Sequence, residues 1–417
     1  MVNVASTKER CDMATGSATL PVLHPVAGIK VATVSAGIKT PGRKDLVVFE
    51  VNAEGSVAGV FTKNRFCAAP VTLSKMHLSQ AKTRYLVVNT GNANAGTGDQ
   101  GMLDAYATCK AVAEVMGVDA NQVLPFSTGV IGEHLPMDRL LSAVPNTKDA
   151  LVDDGWLDAA SGIMTTDSRP KADSVQFEYQ GKTITITGIS KGAGMIKPNM
   201  ATMLGFVATD ALISQELLQA LLTETATKSF NRITVDSDTS TNDSCMLMAS
   251  GTSGVEVKAE EMELYSLFKE KLQTLMINLA QAIIRDGEGA TKFVAVKVEA
   301  AASPKDALEV AYTVSHSPLV KTALFASDPN WGRILAAVGR AEVADFDISK
   351  LAIYLDDVCI VRDGARADDY TEEAGQKVMD QEDIKIRIDM ASGTAVETVW
   401  TSDLSHDYVT INAEYRT

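Results

Sequence analysis

One hydroxyl-bearing residue interrupts an apolar run in the middle of the chain. The segment "SKGAGMIKPNMATMLGFVATDA" runs from Ser190 to Ala211, and within it Thr202 lies between Ala201 and Met203. A threonine hydroxyl can act as a nucleophile when a base lies close to it. Its branched side chain also suits a β-strand, so the residue type alone leaves a purely structural role open.

The same region contains a second candidate nucleophile, Ser190. The sequence "GISKG" (188–192) fits the GxSxG pattern and follows the strand-like "TITIT", as in the nucleophile elbow of an α/β-hydrolase. That elbow also requires a helix directly after the serine. Here "GAGMIKPNM" supplies two further glycines and Pro198, which oppose helix formation. The α/β-hydrolase interpretation is therefore disfavoured.

Two polar segments offer further candidates. The segment "NRITVDSDTSTNDS" (231–244) resembles the start of a calcium loop, but it lacks that loop's glycine at the sixth position and its glutamate at the twelfth. It predicts instead a hydrogen-bonded turn that lines a cleft. The segment "NTGNANAGTGDQG" (89–101) lacks the GK[ST] ending of a P-loop and the GxGxxG spacing of a dinucleotide fold. It predicts a tight, ordered loop that could touch a substrate.

Composition excludes several classes of function. The five histidines stand alone, and the five cysteines are widely spaced and never form CxxC, so we expect no metal site and reduced thiols in the core. A net charge of -15 opposes binding to nucleic acid and to acidic membrane surfaces. The N-terminus lacks an apolar export core, and no segment approaches ~20 uninterrupted apolar residues. We therefore expect a cytoplasmic protein.

The elements that position these residues follow from length and periodicity. With 417 residues the chain exceeds the roughly 250–300 at which one core stops growing, so we expect two lobes or one large layered fold. Alternating or β-branched runs predict strands at 28–36, 45–51, 85–89, 182–189, 293–300, 351–362 and 384–390. Apolar periodicity predicts helices at 103–116, 214–228 and 260–285. Many strands and few helices indicate an α/β fold of layered sheets covered by helices. The loop "SRPKADS" (168–174) should be exposed.

Five long segments occur together and in order along the chain. They are "GAGMIKPNMATMLGF" (192–206), "NRITVDSDTSTNDS" (231–244), "RDGEGATKF" (285–293), "SDPNWGR" (327–333) and "YVTINAEYRT" (408–417). The combination resembles the ornithine acetyltransferase family, also called ArgJ. The resemblance implies an α/β/β/α layered sandwich of the DmpA/ArgJ-like N-terminal-nucleophile type. It also implies that the precursor cuts itself between Ala201 and Thr202, which gives an intertwined α chain (1–201) and β chain (202–417).

Such a cut would make one residue both nucleophile and base. The Thr202 hydroxyl would attack the carbonyl of Ala201, and Gly192 and Gly194 permit unusual backbone geometry nearby. Hydrolysis of the resulting ester frees an α-amino group, whose pKa near 7.7–8.0 leaves a substantial neutral fraction at pH 7. Because this amine can take the hydroxyl proton, no Ser-His-Asp triad is needed.

The resemblance implies the remaining site residues as well. In "FSTGVIG" (126–132), the Thr128 hydroxyl and the Gly129 backbone N–H would form the oxyanion hole. The implied substrate-binding residues are Thr165, Lys191, Thr202, Glu288, Asn412 and Thr417. Lys191 suits a carboxylate and Glu288 an amine, as an amino-acid substrate requires. We expect no cofactor; family members differ in whether acetyl-CoA also donates, and the chain has no CoA-binding signature.

The expected activity is transfer of acetyl from N2-acetylornithine to L-glutamate through acetyl-Thr202, in arginine biosynthesis, by a heterotetramer of two α and two β chains. Gly96 and Ser168 depart from common family residues, cysteine and threonine, which affects substrate preference rather than the reaction. Three alternatives stay open. An aminopeptidase or amidase of the same fold would pass the acyl group to water. A GxSxG hydrolase would remain uncut and use Ser190, and a non-enzymatic binding protein would form no acetyl adduct.

Overall fold

The computed structural model describes residues 14–17, 19–197, 203–344 and 346–414. Three residues predicted for the site, Ala201, Thr202 and Thr417, lie outside these ranges. None of the helices within the ranges combines the length and the apolar character that crossing a membrane requires.

Strands are numbered here in chain order. They are β1 (Ile29–Val34), β2 (Leu46–Val51), β3 (Ser56–Phe61), β4 (Tyr85–Asn92), β5 (Val123–Val130), β6 (Lys171–Tyr179), β7 (Lys182–Lys191), β8 (Leu204–Thr209), β9 (Ile233–Thr234), β10 (Ser244–Ala249), β11 (Phe293–Ala301), β12 (Ala352–Leu355), β13 (Val358–Arg362), β14 (Ala365–Arg366), β15 (Asp383–Asp389) and β16 (Ala395–Ser402).

The α-helices are numbered in the same way. They are α1 (Ala69–Gln80), α2 (Gly98–Met116), α3 (Met137–Ala143), α4 (Asn146–Asp149), α5 (Trp156–Gly162), α6 (Gln215–Lys228), α7 (Met262–Arg285), α8 (Pro304–Ser315), α9 (Pro318–Phe325), α10 (Trp331–Gly339), α11 (Glu372–Met379) and α12 (His406–Ala413).

The chain divides into two compact units. The larger unit consists of Ala18–Asn231 and Asp238–Ile283, and the smaller unit of Met1–Ser17, Arg232–Ser237 and Ile284–Thr417. The larger unit takes residues from both sides of the predicted cleavage point. The division into an α chain and a β chain at that point stays a prediction.

Two sheets face each other in the larger unit. The first has the order β1-β2-β4-β5 and the second β3-β10-β8-β7-β6. Their facing sides share one core, in which the ring of Phe206 stacks on Phe49 at 4.9 Å and meets the edge of Phe126 at 5.2 Å, between centroids. Removing these rings from water stabilises the packing of the two sheets.

Helices cover the outer side of each sheet in the larger unit. Cys109 and Val112 of α2 pack with Val48 on the outer side of the first sheet. On the outer side of the second sheet, a Cβ at Gly188 of β7 would lie 3.1 Å from two leucine side chains of α7. The α/β/β/α layering that the resemblance predicts is therefore confirmed.

The smaller unit is built on one mixed sheet with the order β14-β13-β12-β15-β11-β16-β9. The apolar sides of α8, α9, α10 and α11 contribute buried residues to the core of this unit. Strand β11 lies parallel to β15 and antiparallel to β16. The turn that precedes β11 and the helix α12 that follows β16 supply the polar residues described below.

The structure confirms most predicted strands and corrects three details. The run 351–362 is two antiparallel strands, β12 and β13, joined at Asp356, which has a positive φ of 49°. Helix α2 begins at Gly98 rather than at residue 103. The expectation of an exposed loop at 168–174 is wrong, because β6 begins at Lys171 and the Lys171 side chain is 1 % exposed.

Candidate active site

The predicted oxyanion residues lie at the carboxyl end of β5, in the larger unit. Gly129 has a φ of +135°, and a Cβ there would lie 2.2 Å from the carbonyl carbon of Gly91 on the parallel neighbour β4. Any side chain would therefore clash with backbone, so this end of β5 requires glycine. The β4–β5 register is irregular at Gly91 and Asn92, directly beside it.

Thr128 precedes that glycine and is 6 % exposed. In the part of the chain that the structure describes, its hydroxyl forms no hydrogen bond. A buried hydroxyl is usually hydrogen-bonded. The Thr128 hydroxyl thus remains available to donate to a ligand, as an oxyanion donor must.

Two predicted substrate-binding residues, Thr165 and Lys191, are linked through a carboxylate that the sequence analysis did not select. Asp167 Oδ2 accepts a hydrogen bond from the Thr165 backbone N–H at 2.9 Å. Asp167 Oδ1 accepts one from the Gly192 backbone N–H at 2.7 Å. One buried side chain therefore fixes the loop that carries Thr165 to the end of β7, where Lys191 lies.

The charge of Asp167 is balanced inside the protein. Lys171 Nζ donates to Asp167 Oδ1 at 2.5 Å, and both side chains are buried, at 1 % and 0 % exposure. Burial alone would raise the pKa of Asp167, but the ammonium groups of Lys171 and Lys191 outweigh it and hold the pKa at about 2. The charge of Lys191 is therefore felt by a carboxylate that is already paired with Lys171.

The polar segment 231–244 contributes a hydrogen-bonded turn, as predicted, and the structure shows what it holds. Asn242 Nδ2 donates to the carbonyl oxygens of Ala93, at 2.6 Å, and Ser127, at 2.9 Å. Its own Oδ1 accepts from the Thr241 hydroxyl at 2.6 Å. This amide ties the turn to the chain after β4 and to β5, one residue before Thr128.

The glycine-rich segment 89–101 is ordered by its own side chains, which confirms the tight loop. Asn94 Nδ2 donates to the Gly101 carbonyl at 2.8 Å, and the Thr97 hydroxyl donates to Asn94 Oδ1 at 2.8 Å. The first residues of the segment complete β4, and the last belong to α2. Contact of this loop with a substrate stays a prediction.

In the smaller unit, Glu288 and Asn412 form a direct pair. Asn412 Nδ2, on α12, donates to Glu288 Oε2 at 2.7 Å. Gly289 follows with a φ of +68°, and a Cβ there would lie 2.4 Å from the Ser405 hydroxyl and 2.6 Å from the Tyr408 backbone nitrogen. The turn after α7 thus packs tightly on the start of α12, which brings the two predicted residues together.

Sequence reasoning missed Asp167, Lys171 and the individual role of Asn242. The signal was present in part, because Asp167 and Lys171 are oppositely charged and four residues apart. Nothing in the pattern indicated that both would be buried. Among the described residues, no group of three or more histidine, cysteine or acidic side chains is placed to hold a metal ion.

Known proteins are similar to this chain over nearly its whole length. The ArgJ family model matches residues 30–417. The chain is 58 % identical over 406 residues, 97 % of its length and 100 % of the relative's, to the arginine biosynthesis bifunctional protein ArgJ of Pseudomonas fluorescens. It is 57 % identical, with the same coverage, to the protein of that name from Pseudomonas syringae pv. tomato.

Two solved structures are also similar. One is the arginine biosynthesis bifunctional protein ArgJ of Bacillus halodurans, 37 % identical over 51 % of this chain and 99 % of that one, with a TM-score of 0.49. The other is the ornithine acetyltransferase of Mycobacterium tuberculosis complexed with ornithine, 36 % identical over 42 % of this chain and 94 % of that one, with a TM-score of 0.37. The extent of the family match and the identity to the Pseudomonas relatives lead to one conclusion: the chain belongs to the ArgJ family.

Proposed function

We propose that the protein is a self-processing acetyltransferase that moves acetyl from N2-acetylornithine to L-glutamate, yielding ornithine and N-acetylglutamate. The observation that carries this proposal is the 58 % identity to an arginine biosynthesis bifunctional protein over 97 % of the chain. The geometry of Thr128, Gly129 and Lys191 supports it, because it supplies oxyanion donors and a cationic site in one unit.

In the first half-reaction, the Thr202 hydroxyl attacks the acetyl carbonyl, and its proton passes to the free α-amino group of the same residue. The Thr128 hydroxyl and the Gly129 N–H donate to the oxyanion. The C–N bond breaks, the leaving nitrogen takes the proton, and ornithine departs from acetyl-Thr202. The amine of glutamate then attacks the ester, and the Thr202 hydroxyl is regenerated.

The two substrates share an α-carboxylate, which Lys191 can bind in either half-reaction. Glu288 offers an anion to the side-chain amine of ornithine, with Asn412 holding one of its oxygens. Thr165 and Thr417 are proposed to complete the contacts. The bifunctional name of the relatives favours acetyl-CoA as a second acetyl donor, and the active form is proposed to be a heterotetramer of two α and two β chains.

The test begins with mass spectrometry of purified protein under denaturing conditions. We expect fragments 1–201 and 202–417 from the wild type and one intact chain from Thr202→Ala. Labelled acetyl from N2-acetylornithine should appear on glutamate. Release of free acetate with no transfer would identify an amidase of the same fold, and an intact, inactive wild type would overturn the proposal. Acetyl-CoA supplied as sole donor tests the second activity, and native mass measures the assembly.

A further inference from the structure

Asp403 is a buried acid of the smaller unit that the proposed function does not use. It directly follows β16 and is 4 % exposed. Its Oδ1 accepts hydrogen bonds from the backbone N–H groups of Thr291, at 2.8 Å, and Lys292, at 3.0 Å. Its Oδ2 accepts from the Thr291 hydroxyl at 2.6 Å. Both carboxyl oxygens therefore bind one short segment, and hydrogen bonds to a carboxylate are stronger than those between neutral groups.

The segment that Asp403 binds leads directly into β11. In the antiparallel pair of β11 and β16, Phe293 lies opposite Ser402, and both residues are at the end of their strand. Thr291 and Lys292 come just before Phe293. The hydrogen bonds of Asp403 therefore extend the connection between the two chain segments by two residues beyond the end of the strand pair.

Glu288 lies in the turn between α7 and this segment. The Gly287 N–H donates to the Ile284 carbonyl at 3.1 Å, and the Ala290 N–H donates to the Gly287 carbonyl at 2.9 Å. The turn is thus closed by its own hydrogen bonds directly before Thr291. Because only two residues separate Glu288 from Thr291, fixing Thr291 restricts where the backbone of Glu288 can lie.

Asp403 also lies close to the start of the helix that contacts Glu288. Helix α12 begins three residues after Asp403, and Ser405 caps it by accepting from the Tyr408 N–H at 3.3 Å. Asn412 of this helix donates to Glu288 Oε2 at 2.7 Å. Asp403 therefore joins the two segments of the smaller unit that carry Glu288 and Asn412.

We propose that Asp403 is a positioning residue that holds the turn of Glu288 against the start of α12, so that the Glu288 carboxylate is placed to bind the side-chain amine of the ornithine substrate. The inference rests on the proposed function, in which Glu288 binds that amine. Asp403 contacts no substrate atom and acts through Thr291 and Lys292. A displacement of about 1 Å in a binding group can lower a rate about 10²-fold, so loss of Asp403 weakens recognition of the amine.

The experiment uses two acetyl donors that differ only in the amine at the end of the side chain. They are N2-acetylornithine and N2-acetylnorvaline, which lacks that amine. For each variant, kcat/KM for acetyl transfer to glutamate is measured with both donors, and the first value is divided by the second. Asp403→Ala should lower this ratio about tenfold, because only the first donor depends on Glu288. A general loss of structure lowers both values alike, so an unchanged ratio in Asp403→Ala would overturn the inference.

Two further variants test whether Asp403 acts through Glu288. Glu288→Gln should lower the ratio, and adding Asp403→Ala to it should lower the ratio no further, because both changes act on one contact. Asp403→Asn should keep the ratio within about threefold of wild type, since its amide oxygen can accept both N–H groups and its NH₂ group can donate to the Thr291 hydroxyl. A second, independent fall in the double variant would contradict the inference, as would a fall in Asp403→Asn as large as in Asp403→Ala.

Asp45, in the larger unit, is the matched control. It is also a buried acid that accepts three hydrogen bonds, from the backbone N–H groups of residues 36–38. Asp45→Ala should leave the ratio unchanged, because the segment that Asp45 holds does not carry Glu288. If Asp403→Ala does not fold, Thr291→Val replaces it. That change at an exposed residue removes only the hydroxyl bond and should lower the ratio about threefold, and an unchanged ratio would then overturn the inference.

The same measurements separate this inference from the proposed function. A wild type that transfers no acetyl from N2-acetylornithine to glutamate would remove both. An active wild type in which Glu288→Gln leaves the ratio unchanged would remove the role of Glu288 and, with it, that of Asp403. An active wild type in which Glu288→Gln lowers the ratio and Asp403→Ala does not would exclude Asp403 alone.

Discussion

Asp167 and Asp243 are both buried in the larger unit, and their surroundings give them opposite character. Asp167 receives two backbone N–H groups and the Lys171 ammonium, and its pKa lies at about 2. Among the described residues, one oxygen of Asp243 has no hydrogen-bond partner, and burial raises the pKa of Asp243 well above the ordinary range. The comparison shows that burial alone does not decide the charge of a carboxyl. The hydrogen-bond donors and charges that surround the group also shift its pKa, and at Asp167 they lower it.

The largest effect is expected at the satisfied acid. In the uncut Thr202→Ala background, Asp167→Asn leaves Lys171 buried without its counter-charge and should lower the free energy of unfolding by about 3–5 kcal/mol. Because a lowered pKa stabilises the fold above the ordinary value of 3.8, the difference from the parent should shrink as pH falls toward about 2. Denaturant titration measures it. The exposed pair Lys44–Asp158 is the control, since Lys44→Ala should cost under about 1 kcal/mol.

The next effect concerns the Thr128 hydroxyl, which forms no hydrogen bond among the residues that the structure describes. Thr128→Val keeps the shape of the side chain and removes the donor. We expect kcat to fall about 10²–10³-fold, which corresponds to ~2.7–4 kcal/mol in the transition state. The free energy of unfolding should stay nearly constant, because the described residues form no hydrogen bond with this hydroxyl that the change would remove. A full kcat in Thr128→Val would remove this residue from the oxyanion hole.

Lys321, in the smaller unit, is a buried cation, and burial shifts its pKa in the direction opposite to that of a buried acid. Burial lowers the pKa of Lys321 from 10.5 to about 8, and the charges of Asp403 and Asp236 offset only part of that fall. The unfolded chain therefore binds more protons between pH 8 and 10.5, so this group adds roughly 3 kcal/mol of stability across that range as pH rises. In Lys321→Met, the free energy of unfolding should not show this rise between pH 8 and 10.5. If the free energy of unfolding changes with pH in the same way in the parent and in the variant, the expectation is contradicted.

The smallest effect is expected at the unsatisfied acid. In the uncut Thr202→Ala background, Asp243→Asn replaces a carboxyl whose pKa burial raises well above its ordinary value with an amide of similar shape. The free energy of unfolding should change by less than about 1 kcal/mol, in contrast to Asp167→Asn. Both variants can be measured under identical denaturant conditions. A loss as large as that of Asp167→Asn would mean that the Asp243 carboxyl stabilises the fold as strongly as the Asp167 carboxyl does.

Local patterns predicted much of the fold, because strands and long helices have a periodicity of apolar residues that can be recognised from the sequence of the element itself. Helix α6 begins after Ser214, whose hydroxyl accepts from the Leu217 N–H, as a capping serine should. The strand run 351–362 was predicted as one element, although two acidic residues at its centre mark the turn that the structure shows there. Short helices such as α9 and α10 were not predicted, since tertiary packing rather than a long repeat stabilises them.

The site was less predictable from the residues themselves. Thr128 and Gly129 were identified only through the family resemblance, because a Thr-Gly pair occurs in many strand ends. Lys171 was placed on an exposed loop, since a charged residue between serine, proline and aspartate usually meets solvent. Its burial depends on Asp167 and on the pairing of β6 with β7, neither of which composition reveals. Contacts of this kind depend on the three-dimensional fold and not on the residues that are adjacent in the sequence.

The order of strands in the second sheet of the larger unit has a practical consequence. Strand β8, which follows the proposed cut, lies between β7 and β10. It is hydrogen-bonded on one side to β7, which precedes the cut, and on the other side to β10, which follows it. After the cut, the two polypeptides would both contribute strands to the same sheet. An affinity tag fused to either polypeptide should therefore retrieve both, until a denaturant pulls the strands apart.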